Sequence, residues 1–334
     1  MTASPDPASS VSDTLPLVSV VCAWYNRADY LCITLDSLLA QTCPSFEIVL
    51  VNDGSTDPRV REILDGYNDP RLTVIHQDNA GFPHSIRRAI KASQGQYIAI
   101  QGAGDISFPS RLERQARFLS ENPDFVLVGC KINNFRVEKD APPPASPVDN
   151  ADFDGTGQGA GTLLSEATAK QITWRNPFSH GEVMMRRSAY DAVGGYRVFF
   201  TNAQDVDLWL RMLSQGRQGV LKDWLYQRNA FIADGIATNL RKLMVQLSFS
   251  LMAAQCHDER AAGRPDSVER YGTAAMLRLR NGIRLRVRIL RRIRQAYWFG
   301  TLDPADLSVV RELYGVTNYL MARLLVAAMN LRRR

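Results

Sequence analysis

Two short polar turns in this chain hold the side chains with the clearest chemical use. Asn52-Asp53-Gly54-Ser55-Thr56-Asp57 sets a carboxylate beside a glycine that permits a tight turn, so Asp53 can accept hydrogen bonds from a base or a ribose. Tyr25-Asn26-Arg27-Ala28 is the second polar turn. Each follows an apolar run, Val18 to Trp24 in one case and Phe46 to Val51 in the other, which puts both turns at the ends of buried strands. Two such ends make a nucleotide pocket, because ligands of open parallel sheets sit beyond the carboxyl ends of the strands. A solvated surface turn is the competing reading of Asn-Asp-Gly.

The elements that must hold these turns follow from periodicity. Leu31, Leu35, Leu38 and Leu39 recur at helical spacing after the first turn, so strand, helix and strand succeed one another through a right-handed, parallel crossover. Arg71 to His76, Gln96 to Gln101 and Phe125 to Cys130 read as further strands, with helices over Pro83 to Ser93 and Arg111 to Ser120. The fold class is α/β, a doubly wound, mostly parallel central sheet. Residues 137–171 are rich in Pro and Gly and read as a flexible loop. Met184 to Val193 and Val206 to Leu213 read as helices or helix-strand pieces around a Gly194-Gly195 turn.

With 45% hydrophobic residues, a chain of 334 residues can bury one large core plus an appendage. The five cysteines, Cys22, Cys32, Cys43, Cys130 and Cys256, are dispersed and form no CxxC pair that would suggest zinc or redox chemistry; a reducing compartment fits them best. Met1 to Pro16 lacks the basic and apolar sections of a signal peptide and reads as a disordered leader.

The strand and turn ending in Tyr25-Asn26-Arg27, the NDGSTD turn, Asn79 and Gly81 before a helix, GQYIAI leading to Asp105, the NPFSH segment, and VGGYR followed by QDVDLWLRM occur in one order. From about Leu17 to Gly216 this order resembles family 2 glycosyltransferases. The resemblance implies a Rossmann-like GT-A fold, inversion at the anomeric carbon, and Mg2+ or Mn2+ near an Asp-x-Asp motif. It assigns Tyr25, Asn26, Asp53, Asn79 and Gly81 to the donor, with Arg27 offsetting phosphate charge. A base-stacking ring and a half-buried anchor compete for Tyr25; a solvent-facing helix start competes for Arg27. Where typical members carry Asp-x-Asp-Asp, this chain has Gly102-Ala103-Gly104-Asp105, so Gly104 and Asp105 stand at the diphosphate and Asp105 is the one acidic metal position kept. Its competing role is a cap on the turn or helix near Ser107. Asp205, in Gln204-Asp205-Val206-Asp207, matches the catalytic base, which takes the acceptor proton. Asp207 reads as an N-terminal helix charge. His180, Gly194, Gly195 and Trp209 match the acceptor side, against structural roles as a satisfied histidine, a turn and core packing.

The expected organisation is therefore a leader over 1–16, a catalytic domain over 17–222, and a helical basic region over 223–334. Within the domain, 17–130 is the nucleotide-binding half and 172–222 the acceptor half. Met276, Leu279, Ile283, Val287, Leu290 and Tyr297 fall on one helical stripe beside Arg280, Arg284, Arg288, Arg291 and Arg292. A basic amphipathic helix of this kind suits an anionic membrane face, or packs on the domain or on another subunit; a hairpin around Asn281-Gly282 is the rival local reading. Thr317 to Leu331 is too short and too interrupted for a membrane span. The net charge of +6 lies largely in this tail without a nucleic-acid module, so no nucleic-acid partner is expected.

The expected activity is transfer of a sugar from a UDP or dTDP donor to a hydroxyl of a glycan or lipid-linked saccharide, in polysaccharide or glycoconjugate synthesis. The expected location is cytoplasmic, peripheral on the inner face of the plasma membrane. Two rival classes are a nucleotide-sugar-binding protein without turnover, suggested by the eroded Asp-x-Asp, and a basic scaffold.

Overall fold

A computed structural model describes residues 17–137, 162–231, 239–280, 282–298, 302 and 304–331. The expected leader and most of the expected loop lie outside them. The chain runs β1 (Val18–Trp24), α1 (Ala28–Leu39), β2 (Phe46–Asp53), α2 (Pro58–Gly66), β3 (Leu72–Gln77), α3 (Phe82–Ala92), β4 (Tyr97–Gln101), β5 (Ile106–Ser107), α4 (Arg111–Glu121) and β6 (Phe125–Val137). It continues through β7 (Leu163–Glu166), α5 (Ala169–Arg175), β8 (Met184–Arg186), α6 (Arg187–Ala192), α7 (Gln204–Met212) and β9 (Arg217–Phe231). The C-terminal helices are α8 (Leu240–Ala261), α9 (Ser267–Tyr271), α10 (Ile283–Trp298), α11 (Ser308–Tyr314) and α12 (Val316–Leu331), with 3-10 turns at Gly272–Arg278 and Pro304–Leu307.

One sheet orders the strands β3-β2-β1-β4-β8-β6-β9-β5, with β7 on β9. The half from β3 to β4 is wholly parallel. Helices cover both of its faces, which is why its strands are near-continuous apolar runs: Val18, Val20, Val21, Cys22 and Trp24 of β1 are all buried. Leu38 of α1 and Leu112 and Leu119 of α4 share one cluster with Val18, Val20 and Ile48, while Ile86 and Ile90 of α3 share another with Val21, Val49 and Ile98. Beyond β4 the sheet turns mixed. The short β8 runs antiparallel to both β4 and β6, and β6 pairs with β9 in parallel through several register shifts.

Three sequence expectations change. The stretch taken as a loop to residue 171 contains β7 and the start of α5, and Val137 closes β6. The Thr168 side chain accepts from Gln171 N–H while Gln171 reaches back to Thr168 N–H, a capping box that starts α5 despite its polar surroundings. The domain boundary at residue 222 cuts through β9, which stays in the sheet to Phe231, opposite Val137. The helix read from Met276 to Tyr297 is broken: the first part is a 3-10 turn, and α10 begins at Ile283. Its buried face is Leu285, Ile289, Ile293 and Ala296, whereas Ile283 is 79% exposed. That face packs with Leu243 and Leu247 of α8 and with Val310 and Val326 into a separate helical core.

Asp207 stands in the first turn of α7, as expected of an N-terminal helix charge, but fully buried there, where it pairs with Arg211 at 2.8 Å and with Arg197. Arg197 also holds Asp266, at the start of α9, at 2.8 Å, and Arg260 of α8 reaches the same carboxylate. This ionic lattice joins α7 to the C-terminal helices.

Candidate active site

The turn after β1 and the turn after β2 are locked together by Asn26. Its backbone is left-handed at φ 56°, a conformation that asparagine tolerates. Its Oδ1 accepts from Thr56 N–H at 2.8 Å and Asp57 N–H at 3.2 Å, and its own N–H donates to Ser55 Oγ at 2.8 Å. Asp57 does not face the pocket; it caps α2 by accepting from Arg59 N–H. Asp53 accepts from Ala80 N–H at 2.8 Å, Gly81 N–H at 3.0 Å and Gln77 Nε2 at 2.7 Å. Burial alone would raise its pKa, but these donors and Ser85 outweigh it and hold the carboxyl below its ordinary range. Asn79 Nδ2 donates to Asp53 O, and a Cβ at Gly54 would stand 2.4 Å from Asn79 N, so the two loops approach only because residue 54 is glycine. Tyr25 is exposed at the rim.

Arg27 is neither solvent-facing nor loose. It is half-buried, donates to Ala103 O at 2.8 Å and lies 4.2 Å over the Phe231 ring, tying the first turn to residues 102–105 and to the end of β9.

The 102–105 turn is built around Asp105, which is buried. Its Oδ2 accepts from Tyr226 Oη at 2.8 Å and its Oδ1 from Asn229 N–H at 2.9 Å, both on β9. Burial lifts its pKa to about 6, opposed in part by those two donors and by the charges of Arg228 and Arg27. Neither residue assigned by the resemblance to the rest of the motif supplies a ligand. A Cβ at Gly102 would fall 2.2 Å from Asp105 Oδ2, and one at Gly104 2.8 Å from the Phe231 ring. Among the described residues no group of three His, Cys, Asp or Glu side chains is arranged to hold a cation. A cation at Asp105 would therefore have one carboxylate from the described residues and draw its other ligands from phosphate and water oxygens. The cap near Ser107 is absent, since the carboxylate is engaged by β9. Arg111, fully buried, braces the turn from beneath through Gln101 Oε1 and Ile100 O.

Across the sheet, the loop from Asn176 to Glu182 meets the start of α7. Asn176 Nδ2 donates to Asp205 Oδ2 at 3.0 Å. His180, also left-handed at φ 40°, makes a 2.7 Å hydrogen bond between Nε2 and Tyr196 Oη. Burial lowers its pKa, opposed by the nearby Asp205 charge, so the ring is neutral near pH 7. Its ring also touches Phe82 at 5.1 Å, and Phe82 directly follows Gly81, which binds Asp53. A short contact path thus runs from Asp53 through Gly81, Phe82 and His180 towards Asp205. Gly181 packs against Gly102, where a Cβ would meet Tyr226 Oη at 2.4 Å. Ser179 N–H bonds both oxygens of Glu182, whose pKa burial raises to about 7.

Asp205, His180, Asn176 and Arg228 line a cavity of 1220 Å3, closed on another side by α10. Asp53, Asn26, Asn79, Gly81, Gly104 and Asp105 do not line it. Nor do Gly194 and Gly195: their left-handed turn, with Gly195 tight against the Tyr190 ring, carries Tyr196 to His180, so they position the site from behind. Trp209 is fully buried, against Phe178 and His180, and is core rather than acceptor wall. Tyr226, Arg228 and Asn229 were not singled out in the sequence. Only their approach to Asp105 across 121 to 124 residues reveals them.

A family model described as "Glycosyl transferase family 2" matches residues 19–200. EpsE of Bacillus subtilis (strain 168), named as a candidate glycosyltransferase, is 32% identical over 219 residues, 64% of this chain and 72% of the relative. An uncharacterized glycosyltransferase of Haemophilus influenzae is 28% identical over 180 residues, 53% of this chain and 54% of the relative. Among solved structures, mannosyltransferase PcManGT from Pyrobaculum calidifontis in complex with GDP-Man and Mn2+ is 19% identical, with a TM-score of 0.54 over 99% of this chain and 83% of that one. S. aureus TarS 1-349 in complex with UDP-GlcNAc is 15% identical, with a TM-score of 0.54 over 91% of this chain and 90% of that one.

Proposed function

The chain belongs to glycosyl transferase family 2, and from that premise we propose that it transfers a sugar, with inversion, from a nucleoside diphosphate donor to a hydroxyl of a saccharide, with Asp205 as base. The observation that carries this reading is the position of Asp205. Its carboxylate opens on a large cavity, is oriented by Asn176, and is linked through His180 and Phe82 to the loop that Asp53 grips.

Inverting transfer needs a carboxylate within hydrogen-bond reach of the acceptor hydroxyl, on the face opposite the leaving group. The acceptor oxygen attacks the anomeric carbon as its proton passes to Asp205, and the nucleoside diphosphate departs with the bonding electrons. The base and ribose of the donor lie against Tyr25, Asn26 and Asp53. Asp53 is held ionised by four donors and can accept from a base N–H. The complexes of TarS with UDP-GlcNAc and of PcManGT with GDP-Man support a nucleotide-sugar donor. PcManGT was solved with Mn2+; here two positions of the acidic motif are glycines and Asp105 is kept, so Arg27 and Arg228 would share the diphosphate charge with any ion held there.

A binding protein without turnover is favoured by one observation, the buried and fully engaged Asp105. One experiment separates the two readings: nucleoside diphosphate release from a nucleotide-sugar panel, with and without Mn2+, for wild type and Asp205→Asn. The variant should lose on the order of 10²- to 10⁴-fold in turnover while binding UDP as well as wild type. Equal turnover in the two proteins would remove Asp205 from the mechanism.

No helix among the described residues is long and apolar enough to cross a membrane. Attachment to an anionic membrane face rests on α12 rather than α10. Val316, Leu320 and Leu324 of α12 are 53%, 52% and 71% exposed along one side, beside Arg323.

A further inference from the structure

The cavity beside Asp205 has a wall that carries more positive charge than the transfer step uses. Six arginines line it, Arg175 of α5, Arg228 of β9, and Arg288, Arg291, Arg292 and Arg294 of α10, whereas Asp205 is the lone carboxylate among its described lining residues. Arg288, Arg291 and Arg292 stand three and four positions apart on α10, the spacing at which like charges repel. Burial, and then the Arg291 charge, depress the pKa of Arg292, which is the electrostatic trace of that crowding. A cleft lined by one sign of charge concentrates counter-ions of the other sign. The exposed Trp298 lines the same space and offers a flat face on which the apolar side of a sugar ring can lie, while Trp174 carries the Arg288 guanidinium 5.0 Å over its ring.

We propose that this wall binds phosphate carried by the acceptor, so that the saccharide receiving the sugar is a phosphorylated one rather than a neutral glycan. The inference rests on the reading of this cavity as the acceptor side of a transferase. A uronic acid brings a single negative charge. A phosphate monoester or a diphosphate brings about two, with enough oxygens for several forked arginine contacts. The same headgroup chemistry occurs on a soluble sugar phosphate and on a lipid-linked saccharide. Leu325 of α12 lies at the cavity, next to the exposed α12 side.

Tryptophan fluorescence of the full chain, with UDP present to fill the donor site, follows binding of inorganic pyrophosphate, glucose 1-phosphate, farnesyl diphosphate and neutral lactose. The test variant is Arg291→Gln/Arg294→Gln, both exposed; the control is Arg61→Gln/Arg117→Gln, equal in charge and remote on α2 and α4. Phosphate-bearing probes should bind wild type and control alike, and on the order of 100-fold more weakly to the test variant, at about tenfold per arginine. Farnesyl diphosphate binding more tightly than pyrophosphate assigns the lipid source; glucose 1-phosphate binding more tightly assigns the soluble one. Lactose binding as well as the phosphates, or a test variant indistinguishable from wild type, overturns the proposal. These titrations involve no turnover. Loss of phosphate binding together with turnover indifferent to Asp205→Asn would leave the anion site standing and remove the transfer reading, and the converse pattern would do the reverse.

Discussion

Exchanging Asp105 for asparagine tests whether this carboxylate is a structural member of its turn or a cation ligand. Burial has lifted its pKa from the usual 3.8 to about 6. A folded-state pKa above the unfolded one means that the folded chain holds the proton more tightly. The stabilisation is therefore complete below pH 3.8 and is lost as the pH rises through about 6. A shift of about two units amounts to ~3 kcal/mol, of which ~2 kcal/mol falls between about pH 4.5 and about pH 7.5. Asp105→Asn removes this titration while leaving an oxygen for the Asn229 N–H and an amide to donate to Tyr226 Oη. The stability difference between the two proteins should then move by ~2 kcal/mol in favour of the variant across that range. Urea unfolding at both pH values, followed by circular dichroism, measures it. His180 and Glu182 titrate nearby but do so in both proteins, so they cancel in the difference. A difference that stays flat with pH, or one that Mn2+ abolishes, refutes the reasoning: the first means a solvated carboxylate, the second a bound cation.

Gly102→Asp, which restores an acid to the motif, should unfold more easily by several kcal/mol and gain no Mn2+-dependent protection, because its Cβ would lie 2.2 Å from Asp105 Oδ2; thermal unfolding with and without the ion reads both effects. Asp207→Asn takes from Arg211 its carboxylate partner and leaves Arg197 with Asp266 alone, and should cost about 3–5 kcal/mol, measured by urea unfolding at neutral pH. Leu320→Ser/Leu324→Ser should leave stability within about 0.5 kcal/mol, since both side chains are exposed. The same change should weaken co-sedimentation with vesicles containing phosphatidylserine; unchanged sedimentation would discard α12 as the docking face.

What was legible in the sequence was local. β1 begins and ends where the apolar run from Val18 to Trp24 does, and the NDGSTD turn sits at the end of β2, because strand burial and turn chemistry are written in neighbouring residues. α5 was legible too, through Thr168 and Gln171 at capping-box spacing, but the surrounding Pro and Gly masked it. The fate of Asp105 was not, because its partners Tyr226 and Asn229 arrive from a strand more than a hundred residues away. Nor was the burial of Asp207, which depends on Arg197 in a preceding loop and, through it, on Asp266. The periodicity of the tail was misread because the stripe took in Ile283 and Val287, which are exposed, and passed over Leu285 and Ile289, which pack with α8 and α12.

The charges shared by Arg197, Asp207, Arg211, Arg260 and Asp266 bear on how this protein can be dismantled. A fragment ending at Phe231 would keep the entire sheet yet carry Arg197 without Asp266, and would bare the side of α7 that α8 covers. Swapping the tail for that of a relative, to redirect the enzyme to a new recipient, therefore requires keeping a carboxylate at 266 for Arg197 of the retained domain, together with its tail partner Arg260. Hybrids that join at the helix boundary alone inherit an unbalanced positive charge directly behind the residue proposed to do the chemistry.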